Sequence, residues 1–299
     1  MEKPVERIDD CGEKQSDCAV PHVKDLVLEI HQALAEKILE RNDQSRSCSA
    51  CAIALFLMAS ETLMDSKTKS KEEKIKEQFL SKTNCFGSIQ CATGNSAQTE
   101  NNLWTLAAMR MAKKGFLHSG SDWSLSDCIG NLEQSKSHVL GLMLWLFPEF
   151  ADDERMMRVG NMIRDNYAWL TRDKMLFWIS CVKRQNCSIE KVREIEEQIL
   201  GLRLDTGVDT SAFATVGGRD AKGDLISSAI ALLVLIFCAK RKSSRDVIDA
   251  ARRTVQWIVT HKTVMNVVDA EPDVAWALYA LSEYIIAEST GRMDTTAER

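Results

Sequence analysis

The stretch that decides the fold of this chain is Leu225–Ala239, LISSAIALLVLIFCA. Two serines are its only polar residues, and it carries no charge. A helix that is apolar on almost every side must be covered by neighbouring elements. Its 15 residues fall short of the roughly 20 that a membrane span needs. We therefore expect a central, buried helix with other helices packed around it, and no membrane span.

Both sides of this stretch carry the residue spacing of helices. Downstream, the segments 245–261 and 272–288 are helical, and the apolar residues of the second recur at intervals of three and four from Val274. Upstream, residues 51–64, CAIALFLMASETLM, are apolar nearly all round. The chain's four prolines leave few breaks, which disfavours a β-sandwich. The sequence predicts an all-α protein of about ten helices, in one compact or two-lobed domain, with no sheet.

The distribution of polar and apolar segments predicts five regions along the chain. Residues 205–224 form the longest break between helical patterns, and loops of this length are usually functional or mobile. We place a lobe boundary there. The regions are a mobile acidic tail at 1–20, a larger helical lobe at 21–204, the glycine-containing connecting loop at 205–224, a C-terminal helical lobe at 225–288 and a tail at 289–299.

The end of the connecting loop, Gly217–Asp224, reads GGRDAKGD. A glycine-rich backbone in front of a helix can hold a phosphate group. The Walker pattern is absent, however, and the carboxylates of Asp220 and Asp224 would repel an anion. We interpret the segment as a flexible hinge in which Asp224 caps the helix that begins at Leu225.

Composition and charge describe an ordinary globular protein. Apolar residues make up 45% and charged residues 27% of the 299 residues. The net charge of −5 excludes a globally basic nucleic-acid coat. The first residues, MEKPVERIDD, are charged and lack the apolar core of a signal peptide. We expect a cytoplasmic, reducing compartment.

Ten cysteines are spread over the whole chain instead of being crowded between loops. We therefore expect independent, reduced thiols. Cys48-x-x-Cys51 together with Cys85-x5-Cys91 could supply four zinc ligands, and this alternative stays open. The second spacing is looser than common zinc motifs, and Cys51 begins an apolar helix. The sequence therefore predicts no metal and no other cofactor.

An acidic run, Asp152-Asp153-Glu154, resembles the magnesium-binding aspartates of terpenoid synthases, which are also helical proteins. The third acid of that pattern is missing, because Met156 and Met157 stand one turn further on. Acids in a first turn also complement the helix dipole. An α-helical magnesium-dependent enzyme using Asp152 and Asp153 is the alternative function.

The strongest electrostatic feature lies at 240–262, where seven cations stand against the two acids Asp246 and Asp249. A basic helix-turn-helix edge of this kind can contact a phosphate backbone. The opposing interpretation is a solvated surface, since Arg245–Asp249 is an i,i+4 pair and cations favour helix C-termini. We call the candidate nucleic-acid-binding residues the basic edge; they are Lys240, Arg241, Lys242, Arg245, Arg252 and Arg253.

These patterns favour a non-catalytic helical assembly or interaction protein. A nucleocapsid- or matrix-like protein is the concrete form of this expectation. It would associate with itself or with another protein through apolar helix faces, and it would touch RNA through residues 240–253. No motif matches a known family well enough to name one.

Overall fold

A computed structural model describes residues 19–43, 49–63, 68–83, 96–112, 138–150, 152–165, 171–206, 210–214, 222–241, 244–261 and 271–293. Within these ranges the protein is all-α, as the sequence predicts, with eleven α-helices. In chain order they are α1 Ala19–Asp43, α2 Ala50–Leu63, α3 Lys69–Thr83, α4 Ser96–Ala112, α5 His138–Leu146, α6 Asp153–Asp165, α7 Thr171–Lys183, α8 Ile189–Gly201, α9 Leu225–Arg241, α10 Arg245–Thr260 and α11 Glu271–Ser289.

Two minor elements accompany the helices. A three-residue 3-10 helix, Pro148–Phe150, follows α5. Two strands of two residues each, β1 Leu204–Asp205 and β2 Ser211–Ala212, pair antiparallel between α8 and α9, with Leu204 opposite Ala212. The two strands belong to the segment that connects α8 to α9, and they are too short to form a layer of the fold.

The stretch Leu225–Ala239 forms the central helix α9, as expected. All its side chains are buried except that of Ile226, and α7, α8, α10 and α11 pack around it. The buried hydroxyl of Ser228 is accommodated by backbone groups, because it accepts from the Phe213 N–H at 3.0 Å and donates to the Phe213 carbonyl at 3.4 Å. Among the helices of the described residues, none combines the length and the apolar character needed to cross a membrane.

α11 packs against helices from both the N-terminal and the C-terminal parts of the chain. It packs against α2 more extensively than any other pair of described elements, and it also contacts α1 and α9. α1 and α2 fall within the predicted larger lobe, whereas α9 and α11 fall within the predicted C-terminal lobe. One cluster of buried side chains includes residues from all four helices. The lobe boundary at 205–224 stays a prediction.

Acidic residues of α11 form ion pairs with cations of three other helices. The pairs, with the distance from nitrogen to oxygen, are Arg41–Glu271 at 2.7 Å, Lys240–Glu283 at 2.7 Å and Arg252–Glu288 at 3.4 Å. α1, α9 and α10 each contribute one cation. Two of these cations, Lys240 and Arg252, belong to the basic edge.

The connection before α9 is closely packed where the structure describes it. The Asp224 N–H donates to the Phe213 carbonyl at 2.9 Å, and the Ser227 N–H donates to Asp224 Oδ1 at 2.8 Å. Asp224 is therefore the expected helix cap. A Cβ on Gly223 would lie 2.3 Å from the Cβ of Ala212, so only glycine fits there. The rest of the predicted hinge, 217–221, lies outside the described residues.

At the end of α11 the chain turns at Gly291, whose φ is 66°, and the side chain of Met293 is fully buried. The Arg292 N–H donates to the Ala287 carbonyl at 3.0 Å, which is the 6→1 bond of a Schellman motif. Part of the predicted tail at 289–299 is thus packed against the core. Residues 1–18 and 294–299 lie outside the described residues.

Candidate functional site

The basic edge is divided between two helices. Lys240 and Arg241 end α9, Arg245 begins α10, and Arg252 lies two turns further along α10 beside Arg253. The Arg245 side chain is 84% exposed, and its nearest carboxylate is that of Asp249 at 3.8 Å. Lys242 lies outside the described residues.

Lys240 and Arg252 are engaged within the fold. Lys240 Nζ forms its ion pair with Glu283 and lies 4.9 Å from the centre of the Phe237 ring. Arg252 Nη2 donates to the Met293 carbonyl at 3.2 Å in addition to its pair with Glu288. Two of the six positive charges are therefore offset by carboxylates that lie beyond residue 262. A count of charges over 240–262 does not include these carboxylates.

The structure brings a second pair of cations to the end of α9. Lys183 Nζ lies 5.0 Å from the centre of the same Phe237 ring that Lys240 approaches. Arg241 Nε donates to the Val182 carbonyl at 3.0 Å, and its Nη2 donates to the Arg184 carbonyl. The C-termini of α7 and α9 are therefore adjacent. We call the combined cations the basic patch; they are Lys183, Arg184, Lys240, Arg241 and Arg245.

The pKa of Lys183 reflects its proximity to Lys240. Partial withdrawal of the ammonium group from water lowers the pKa of Lys183, and the positive charge of Lys240 lowers it further, against the opposing effect of Glu283. Sequence reasoning missed Lys183 and Arg184. The only signal was a pair of cations after an apolar run, and this signal also describes an ordinary helix C-terminus.

A cleft of about 710 Å³ lies between α6, α7, α8 and the turn at 184–188. Its size falls within the usual range of ligand pockets, ~300–1,000 Å³. The apolar part of its lining consists of Met156, Met157, Phe177, Trp178, Cys181 and Cys187, together with Gly160. The polar part consists of Asn161, Lys174, Arg184, Asn186, Ser188, Lys191, Glu194 and Gln198.

Large apolar side chains reach the solvent beside this cleft. Met157 is 65% exposed and lines it, and Ile189, 55% exposed, directly follows the lining residue Ser188. They are the two most exposed large apolar side chains of the described residues, followed by Ile286. An exposed apolar side chain that lines a cleft, as Met157 does, indicates an interaction surface more than an isolated exposed residue does.

The two thiols in the cleft are not activated nucleophiles. Burial raises the pKa of Cys181 to about 12 and also raises the pKa of Cys187. Both are therefore protonated at neutral pH, and a thiol lacks the reactivity of a thiolate. Cys51 and Cys238 are likewise free and buried or half-buried.

The predicted metal sites receive no support from the described residues. Cys48, Cys85 and Cys91 lie outside them, so the zinc alternative does as well. Asp152 is exposed just before α6, and its carbonyl accepts the Met156 N–H at 3.0 Å. The residues that the structure describes contain no group of three histidine, cysteine, aspartate or glutamate side chains that could hold a metal ion.

Comparison of this chain with protein-family models, with curated proteins and with solved structures found no match.

Proposed function

We propose that this chain is a non-catalytic helical interaction protein that contacts single-stranded RNA through the basic patch. The observation that carries the proposal is the convergence of cations from α7 and α9, which surround one phenylalanine ring and share backbone contacts. Clustered cations contact phosphates and release counterions on binding.

Exposure separates the cations that are available to RNA from those that are not. Arg245 is 84% exposed. Lys183 and Arg241 are also exposed residues, although the Lys183 ammonium group is partly withdrawn from water and Arg241 donates to two backbone carbonyls. The carboxylates of α11, in contrast, offset the charges of Lys240 and Arg252. A cation that remains in water can exchange its counterions for phosphates at little cost, but a paired one must first leave its carboxylate. We therefore expect the exposed cations to account for most of the binding.

The acidic remainder of the chain would restrict RNA to the patch. The net charge is −5, so a cluster of five cations leaves the rest of the surface strongly negative. A negative surface repels phosphates and orients their approach. We expect binding with little base preference, because Phe237, the aromatic residue that Lys183 and Lys240 approach, is only 8% exposed and offers little surface for base stacking.

Fluorescence anisotropy with a labelled single-stranded RNA between ~50 and ~200 mM salt tests this proposal. Contacts from all five cations of the patch would give a log–log slope of about −3.5 for single strands, and the pairing of Lys240 with Glu283 makes this the steepest slope expected. Changing both Lys183 and Arg245 to glutamine should flatten the slope by about 1.4. Both side chains are exposed, so the fold should be retained.

The control replaces Lys24 of α1 and Lys74 of α3 by glutamine, because both are exposed lysines on helices that lie away from the patch. It should leave the slope unchanged. Arg252→Gln should also leave the slope unchanged while lowering stability, since Arg252 is paired with Glu288. No binding at low salt, or an unchanged slope in the double variant, would refute RNA contact at this patch.

We further propose that the protein associates with itself. The exposed apolar residues Met157 and Ile189 support this proposal. A nucleocapsid- or matrix-like protein would assemble through such apolar helix faces. Size-exclusion chromatography with light scattering should then show masses that are multiples of 33.6 kDa and an absorbance ratio that reports bound nucleic acid. A monomer at every concentration would contradict assembly.

The magnesium-dependent enzyme that would use Asp152 and Asp153 stays a prediction. Asp152 is exposed at the start of α6, which suits a metal ligand and a solvated acid equally well. No observation on the described residues favours the enzyme, so we do not develop this function further.

A further inference from the structure

We propose that the cleft between α6, α7 and α8 is a docking site for a segment of a partner protein. The segment would carry acidic residues next to one large apolar anchor. This inference concerns a different class of partner from RNA, and Arg184 is the one residue that the described lining of the cleft shares with the basic patch.

We infer that the docked segment carries an apolar anchor because apolar side chains line the cleft and one of them is exposed. Met157 stands 65% exposed at the edge of a cleft whose wall also contains Met156, Phe177 and Trp178. Methionine side chains are flexible and polarizable, so a Met-lined surface can adapt to the shape of an incoming side chain. Met156, Phe177 and Trp178 are already buried, so a partner that covers Met157 would mainly remove the apolar surface of this one side chain from water, which drives association.

The acidic character follows from the charge of the lining. Among the lining residues that the structure describes, Lys174, Arg184 and Lys191 are the cations and Glu194 supplies the carboxylate. Glu194 Oε2 accepts from Lys191 Nζ at 2.8 Å, so one cation already has its partner in the cleft. The lining keeps an excess of positive charge although the whole chain is negative. Carboxylates of a docked segment would complement this excess.

A peptide fits this lining better than a nucleic-acid strand does. Single-stranded nucleic acids bind by stacking their bases on exposed aromatic faces. Phe177 and Trp178 are each only 5% exposed, so their faces are covered by the core and are closed to a base. The amide side chains of Asn186 and Gln198 can instead donate to and accept from a peptide backbone.

Selection from a library of randomised displayed peptides against the intact protein tests the proposal. We expect enrichment of peptides in which aspartate or glutamate flanks leucine, isoleucine, phenylalanine or methionine. A selected peptide, fluorescently labelled, should lose about tenfold in affinity for Met157→Asp and a similar factor for Lys174→Glu. Met157 is exposed, so its replacement should leave the thermal unfolding of the protein unchanged.

Matched controls are available in the same chain. Ile286→Asp replaces another exposed apolar residue, on α11 and outside the cleft, and Lys74→Glu reverses an exposed lysine of α3. Both should bind the selected peptide with unchanged affinity. Equal losses in controls and cleft variants would mean that the peptide binds elsewhere, and the proposal would be wrong.

Cys187 provides a second measurement because it lines the cleft and is only half-buried. The bound peptide should slow the alkylation of Cys187 by iodoacetamide, as followed by mass spectrometry. Failure to enrich any peptide, enrichment of basic peptides, or an unchanged rate of Cys187 alkylation when the selected peptide is bound would overturn the proposal. The RNA test at the basic patch changes Lys183 and Arg245, neither of which lines the cleft, so the two proposals can fail separately.

Discussion

Replacing Gly223 with alanine tests how tightly the connection before α9 is packed. The new Cβ would lie 2.3 Å from the Cβ of Ala212 and 3.3 Å from Cζ2 of Trp257. Non-bonded carbon atoms normally rest ~3.5–4.0 Å apart, so the first distance is short by more than ~1 Å. Ala212 lies in β2, next to Phe213, whose carbonyl is bonded to the Asp224 N–H. Relief must therefore move backbone, not a flexible side chain.

Overpacking of this kind costs about 1–3 kcal/mol. The loss should appear in urea unfolding followed by circular dichroism, as a lower midpoint with an unchanged slope. Gly201→Ala is the matched control, because no atom lies within 4 Å of the Cβ position at the end of α8. Restricting the unfolded chain should leave it neutral or stabilise it by about 0.4–1 kcal/mol. Equal stability of the two variants would refute the packing argument.

Three further outcomes follow from burial and pairing. Leu233→Ala in the centre of α9 should cost about 2–5 kcal/mol in urea unfolding, and a loss below ~0.5 kcal/mol would mean that its site is not packed. Glu271→Gln removes the buried partner of Arg41 and should cost about 1–3 kcal/mol, whereas an unchanged midpoint would show that the pair contributes nothing. Alkylation of the native protein near pH 8 should modify Cys187 well before Cys238, because burial is greater and raises the thiol pKa more at Cys238; equal rates would contradict the described burial.

The helices could be predicted because their signals are local. α9 is recognisable from composition alone, since a run without charges must be buried. The ion pairs of α11 could not be predicted in the same way. Lys240 is 43 residues from Glu283, and Arg252 is 36 residues from Glu288. A charge count over a window of sequence includes only neighbours, so it overestimated the free positive charge of the basic edge.

The cleft was also beyond the reach of local patterns, since three helices and a turn contribute its lining. One signal was present, however. Met156 and Met157 are adjacent on α6, and adjacent residues of a helix point about 100° apart. On a helix with one buried face, only one of two such residues faces the core, and the structure buries Met156 and exposes Met157. Two neighbouring large apolar residues in a helix with only one buried face could have indicated an interaction surface.

The position of α11 in the chain has a consequence for protein synthesis. Its main partners, α1, α2 and α9, all precede it in the chain, and α2 packs against α11 as well as against α4. A ribosome synthesises residues in order. The apolar side chains of α2, such as Phe56 and Leu57, are therefore made more than two hundred residues before α11, which packs against α2. Until Glu271–Ser289 has emerged from the ribosome, the nascent chain exposes apolar surface that α11 later covers. Chaperone binding to α2 during translation is the expected result, with release when α11 docks.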